Sequence, residues 1–129
     1  MSLQTPLARA RGLGTAKKGV QHWWWQRLTA VVLVPLCLWF IGTILILTLQ
    51  QSDYSTVVSW IQSPLVSGLW VFLIVALFYH AQLGLQVVIE DYVHSEWVKI
   101  TALVVAQFLM VLLALTAVIA VLEIALGVP

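Results

Sequence analysis

Residues 28–49 read LTAVVLVPLCLWFIGTILILTL, and no charged side chain interrupts them. An α-helix rises about 1.5 Å per residue, so about 22 residues reach roughly 33 Å, enough for the hydrocarbon core of a bilayer. Lipid offers no hydrogen bonds to backbone, and a lone apolar run meets that demand by becoming a helix. Pro35 lies inside the run and removes one backbone donor, which predicts a bend that neighbouring groups can absorb. The stretch reads as a membrane span.

Working outward, residues 50–64 (QQSDYSTVVSWIQSP) form a polar break. Asp53 and the Ser/Gln content end the first helix, Trp60 suits an interface, and Pro64 is placed at or just before the first turn of the next helix. A second apolar run covers 65–89 and is long enough for tilt. It ends at Glu90 and Asp91. After a short loop, EDYVHSEW at 90–97, a third run extends from 98 to 126, with Glu123 expected at the far headgroups. Thr101, Gln107 and Thr116 are isolated polar residues that can pack against another helix or bond their own backbone. The expected fold is an all-α integral membrane protein with three transmembrane helices. Its organisation is a basic N-terminal segment at 1–27, a three-helix region at 28–126 and a tail at 127–129.

Composition agrees. Of 129 residues, 62% are hydrophobic and 9% charged, and the mean hydropathy is +1.03. A soluble domain carries roughly 25% charged residues and at this size cannot hide so much apolar surface. The net charge of +1 says less than its distribution. Arg9, Arg11, Lys17, Lys18 and Arg27 all precede the first span, with no acid among them. Such a cluster either meets nucleic acid or sets topology, and the span directly behind it favours topology. The expected orientation puts the N-terminus and the Asp91 loop in the cytoplasm, and the Asp53 loop and C-terminus in the periplasm. No nucleic-acid partner is expected; lipid is. The basic, acid-free N-terminus also has the character of an import presequence, but a multi-pass protein of the bacterial inner membrane is the better fit. Cys37, the one cysteine, lies in an apolar stretch and reads as a small filler rather than part of a disulfide framework.

Three histidines bear on chemistry. His22 opens HWWWQR at 22–27, where Trp23, Trp24 and Trp25 beside Arg27 make an aromatic anchor. The anchor is the favoured reading; the indoles and Arg27 could also bond a cofactor's carboxylates at that depth. His80 sits near the middle of the second span, where an ionisable side chain needs a partner or a function. It is either a hydrogen-bonded packing residue or a ligand, and imidazole suits haem iron. A lone mid-membrane histidine leaves a second axial ligand to another chain. His94 is expected in solvent.

Eleven residues turn an ideal helix about 20° beyond three full turns, so a helix persisting to Asp91 would put Asp91 and His80 on one face, roughly 16 Å apart. Gly84, one turn after His80, leaves room on that face for a flat ligand or for close helix packing. Asp91 and Tyr92 offer an acidic acceptor and a phenolic donor at the rim; the plainer alternative is a helix-ending charge and an interfacial anchor. No nucleophile–base set, phosphate loop or CxxC signature appears, which argues against a self-contained hydrolase or transferase.

The segment FYHAQLGLQVVIEDYVH at 78–94, with a histidine followed after ten residues by an acidic–aromatic pair, resembles the second helix of the small hydrophobic membrane-anchor subunit of bacterial succinate dehydrogenase, respiratory complex II. HWWWQRLTAVVLVPL at 22–36 resembles the entry to that subunit's first helix. With the three-span layout, the likeness covers most of the chain. It implies a b-type cytochrome anchor of the tricarboxylic acid cycle and respiratory chain. The implied partners are a flavoprotein subunit, an iron–sulfur subunit and a second membrane-anchor cytochrome b subunit. By the same resemblance His80 supplies one axial ligand to the iron of a shared haem b, and Tyr92 hydrogen-bonds a quinone carbonyl beside Asp91. Arg27 lies where an arginine near both groups is expected. FAD and the iron–sulfur clusters belong to partners, ubiquinone is the substrate, and the chain has no complete active site alone. Two alternatives stand beside this: a haem-free structural or assembly subunit of another membrane complex, and a fumarate-reductase-type anchor using menaquinone.

Overall fold

The computed structural model describes residues 18–127, together with positions 5 and 7. The helices are α1 (Lys18–Leu49), α2 (Tyr54–Ile61), α3 (Pro64–Tyr92) and α4 (Glu96–Leu126), and the described residues contain no strand. Three of them, α1, α3 and α4, are long and apolar enough to cross a membrane. The chain is a multi-pass, all-α membrane protein, as its hydropathy predicts. Of the basic N-terminal cluster, Arg9, Arg11 and Lys17 lie outside the described residues.

The helices outrun the apolar stretches. α1 starts at Lys18, ahead of the run that opens at Leu28, because helical hydrogen bonding continues through the interfacial tryptophans into polar sequence. It runs unbroken through Pro35. α3 begins with Pro64 in its first turn, where a missing N–H costs nothing, and persists through Asp91 to Tyr92. Only Val93, His94 and Ser95 separate α3 from α4, so the two are forced into an antiparallel pair. Glu96 and Lys99 form an ion pair of 3.1 Å in the first turn of α4. At the other end Gly127 closes α4 at φ +65°, a left-handed turn that glycine adopts without strain.

The polar break holds more order than the sequence promised. Asp53 does end the first segment, but it does so by capping α2. Its carboxylate accepts from the Thr56 N–H at 3.0 Å and from the Ser55 hydroxyl at 2.8 Å, and from the Thr56 hydroxyl as well. The Thr56 hydroxyl above all, then Ser55, hold the Asp53 pKa below its ordinary 3.8. Trp60 of α2 lies against Trp39 of α1 with ring centroids 5.9 Å apart, tying the short helix to the bundle.

α3 is central, packed against α1 and α4. Leu33 and Leu36 of α1 interlock with Leu73 and Ala76 of α3, ringed by Val32, Cys37, Phe40 and Leu69. Cys37 is thus partly buried filler. Phe40 meets Trp70 edge to face at 4.9 Å. Outside this seam the helices stay apolar and open; Phe108 is 73% exposed and Leu112 61%. Surfaces of that kind face lipid or further membrane helices.

Candidate functional site

One turn beyond the leucine seam, the α1–α3 contact turns polar. Thr29 is the buried polar residue of the described chain, 8% exposed, and it lies opposite His80. Thr29 Oγ1 and His80 Nδ1 are 2.9 Å apart, and the Gln26 carboxamide nitrogen is 3.5 Å from His80 Nε2. On α1, positions 22, 26 and 29 follow one another at helical spacing, so His22, Gln26 and Thr29 share the face turned to α3. The mid-span histidine is therefore neither free in lipid nor packed among apolar side chains alone.

Two further polar atoms on that face have no hydrogen-bond partner within the described chain: His22 Nε2 and Gln26 Oε1, both buried. Unpaired buried acceptors or donors cost roughly 1–3 kcal/mol each, so these two are polar groups that the chain's own packing leaves unsatisfied. Gly84 bears on the same spot. A Cβ there would come 3.6 Å from the Gln26 amide nitrogen, which is ordinary contact. In this chain the room left by Gly84 is thus bordered by Gln26 of the neighbouring helix.

Arg27 is placed elsewhere. One residue on from Gln26 is about 100° around the helix, and its guanidinium stacks over the Trp23 ring at 4.3 Å. Trp24 meets Trp23 edge on at 5.3 Å, and Trp25 pairs with Tyr79 of α3 at 6.1 Å. Consecutive tryptophans on a helix point in different directions, so they collar α1 instead of forming one patch.

The rim is open. Because α3 persists to Tyr92, Asp91 stands on the His80 face at roughly three turns' remove. Asp91 is exposed, Tyr92 is 78% exposed, and neither side chain has a partner among the described residues. His94 is exposed, as expected. No group of three or more His, Cys, Asp or Glu side chains converges among the described residues.

The reverse face of α3 carries residues the sequence reading passed over. Gln82 and Gln86 line a cavity of about 160 Å³ with Leu103, Ala106 and Gln107 of α4, and Gln86 donates to Glu90 at 2.8 Å. Thr29 and Gln26 were legible only as polar residues sharing a face with His22; nothing local tied them to a histidine 51 and 54 positions away.

Comparison with known proteins gives this arrangement a family. A profile described as succinate dehydrogenase/fumarate reductase transmembrane subunit matches residues 1–121. The chain is 30% identical to the succinate dehydrogenase hydrophobic membrane anchor subunit of Rickettsia bellii (strain RML369-C), covering 89% of this chain and 90% of that one. It is 33% identical to the subunit of the same name from Rickettsia conorii (strain ATCC VR-613 / Malish 7), over 78% and 79% of the two chains. It is 34% identical to the succinate dehydrogenase membrane anchor subunit of Reclinomonas americana, over 67% and 73%. No solved structure matches the chain. With the profile spanning nearly its whole length and the three-helix membrane layout in place, the chain belongs to the family of succinate dehydrogenase/fumarate reductase transmembrane subunits.

Proposed function

We propose that the chain is the membrane anchor of a succinate:ubiquinone oxidoreductase, sharing a haem b with a second anchor subunit and forming part of the ubiquinone-reducing pocket. The observation that carries this is the course of α3, which holds His80 at mid-span and Asp91 on the same face at the rim, with Tyr92 as its neighbour. The names of the relatives support the anchor role.

The residues present fit a haem ligated from this side. His80 is held by α1, and the buried, unpaired His22 Nε2 and Gln26 Oε1 beside it suit a group with polar edges. One ligand from this chain leaves the second to the partner anchor. Bound there, a haem supplies a one-electron reservoir within the membrane. His80 would hold the iron, and the α1–α3 seam would exclude water from that side.

At the rim, Tyr92 donates a hydrogen bond to a quinone carbonyl, holding the head group and stabilising the negative charge that develops on its oxygen. Asp91 orients Tyr92, holds an ordered water or pairs with a cation of a partner. In that assembly the flavoprotein's FAD would take two electrons from succinate, with release of two protons, the iron–sulfur subunit would carry the electrons on, and ubiquinone would take up two electrons and two protons to become ubiquinol. The exposed rim at Tyr92 is where the iron–sulfur subunit docks, on the cytoplasmic side of the bacterial inner membrane given the basic N-terminus.

Tyr92→Phe tests this in the assembled complex. It keeps the ring and deletes the donor, so succinate:ubiquinone activity should fall on the order of 100-fold while succinate-dependent reduction of an artificial acceptor at the soluble subunits holds. Both activities normal would remove Tyr92 from the quinone pocket; both lost with detached subunits would make it a docking residue. A reduced-minus-oxidised spectrum of the purified complex without a b-type haem would leave a haem-free anchor instead. Selective activity with menaquinone would point to fumarate-reductase chemistry.

A further inference from the structure

We infer that Thr29 is a positioning residue for His80: it fixes the imidazole as its Nδ1–H tautomer, so that Nε2 carries the free lone pair, and Gln26 covers that nitrogen until a ligand takes it. The inference rests on the reading of His80 as an axial ligand, and it assigns which of its nitrogens faces the iron.

The argument begins with one hydroxyl proton. Thr29 Oγ1 lies 2.8 Å from the Trp25 carbonyl, four residues back, and 3.1 Å from the Gln26 carbonyl. The other threonines of the long helices, Thr43, Thr48, Thr101 and Thr116, all give their proton to the carbonyl four residues back at the same 2.8 Å, with no histidine near. Thr29 follows that rule, so its single proton is spent on its own helix. Toward His80 it then offers only lone pairs, and the 2.9 Å contact requires the proton to sit on His80 Nδ1. A neutral imidazole carries one N–H, so Nε2 is bare.

The other side of the ring agrees. The Gln26 amide nitrogen only donates, and at 3.5 Å from Nε2 it makes a contact at the outer limit of hydrogen bonding. One nitrogen is thus held short and directionally, the other long and weakly. The short bond sets ring orientation and raises the basicity of the opposite nitrogen, the usual effect of a donor contact behind a metal-binding histidine. The long one is surrendered easily. Gln26 has somewhere to go, since its flank borders Gly84, where no Cβ stands.

The test uses the full chain. Histidine nitrogen NMR on the haem-free anchor, with His80 assigned by the signal lost in His80→Leu, should show the proton on Nδ1. Thr29→Val, which keeps the β-branched shape and removes the hydroxyl, should yield a tautomer mixture, and Thr29→Ser should restore the single form. In the assembled complex Thr29→Val should weaken haem retention by about 10-fold and move the b-haem midpoint potential upward, because a less basic imidazole stabilises ferric iron less; Thr29→Ser should return both. A wild-type His80 protonated on Nε2, or a Thr29→Val protein with unchanged tautomer and midpoint potential, overturns the inference. If His80→Leu alters the haem spectrum while Thr29→Val does not, the ligand assignment stands and the lock fails. If His80→Leu leaves the spectrum unchanged, the ligand assignment fails, and the tautomer still decides the lock.

Discussion

His80 and Asp91 share one face of α3, with Tyr92 next to Asp91 at the rim, and the two ends live in opposite conditions. His80 is gripped from α1 by Thr29, behind a seam of leucines, while Asp91 and Tyr92 stand open with no partner among the described residues. The reason lies in depth. A polar side chain in hydrocarbon must find its hydrogen bonds inside the protein, so the chain itself builds the surroundings of His80. At the rim water can satisfy a carboxylate and a phenol, so nothing forces this chain to complete that site. The mid-span end is organised by this chain alone, whereas the rim is left open.

The largest effect should come from the organised end. His80→Leu in the complex should abolish the low-spin b-type spectrum or reshape it outright, leaving at most a haem held through the partner's ligand. An unchanged spectrum and midpoint potential would dissolve the contrast, making His80 a packing residue. At the rim, Asp91→Asn keeps shape and removes charge. It should slow ubiquinone reduction by about 10-fold, below the roughly 100-fold or more of a direct general acid or base and in keeping with an orienting group, with the haem spectrum untouched. A spectral change in that variant would show that the two regions behave as one site.

Gly84→Leu probes the boundary between them. A Cβ alone would touch Gln26 at 3.6 Å, and the larger side chain must displace it, so the variant should perturb the haem spectrum more than quinone reduction. The reverse order would mean that Gly84 belongs to the quinone end. The smallest effect is expected far from both. Asp53→Ala removes the α2 cap and should cost a little helical signal with haem and activity preserved. Since the folded Asp53 pKa is lowered, its contribution is full above the ordinary 3.8 and lost as pH falls below it toward the folded value. Helix signal in the wild type should therefore hold at neutral pH and decline only in strong acid, and a decline already near pH 6 would contradict the cap.

The topology can be checked independently. Membrane-impermeant labelling of single cysteines in a Cys37→Ser background should reach the Asp53 loop from the periplasm and the Asp91 loop from the cytoplasm. The opposite pattern would move the rim, and the docking of soluble subunits, to the other side.

The sequence by itself determined the three spans, the charge asymmetry ahead of the first of them, and the placement of His80 and Asp91 along one helix face. These follow from hydropathy summed along the chain and from helical period, both local quantities. It could not say that Asp53 caps a further helix, since a polar stretch with two valines and a tryptophan is as consistent with a loop. Nor could it say what meets His80. Helices apolar on every side carry no stripe that names the buried face, so a sequence pattern cannot pair them. Only the packing of α1 on α3, with Leu33 and Leu36 seated against Leu73 and Ala76, set the rotation that brings Thr29 and Gln26 to the imidazole. In a bilayer, where lipid solvates apolar faces as well as protein does, fit and a few polar contacts decide that rotation, and both exist only once the helices have met.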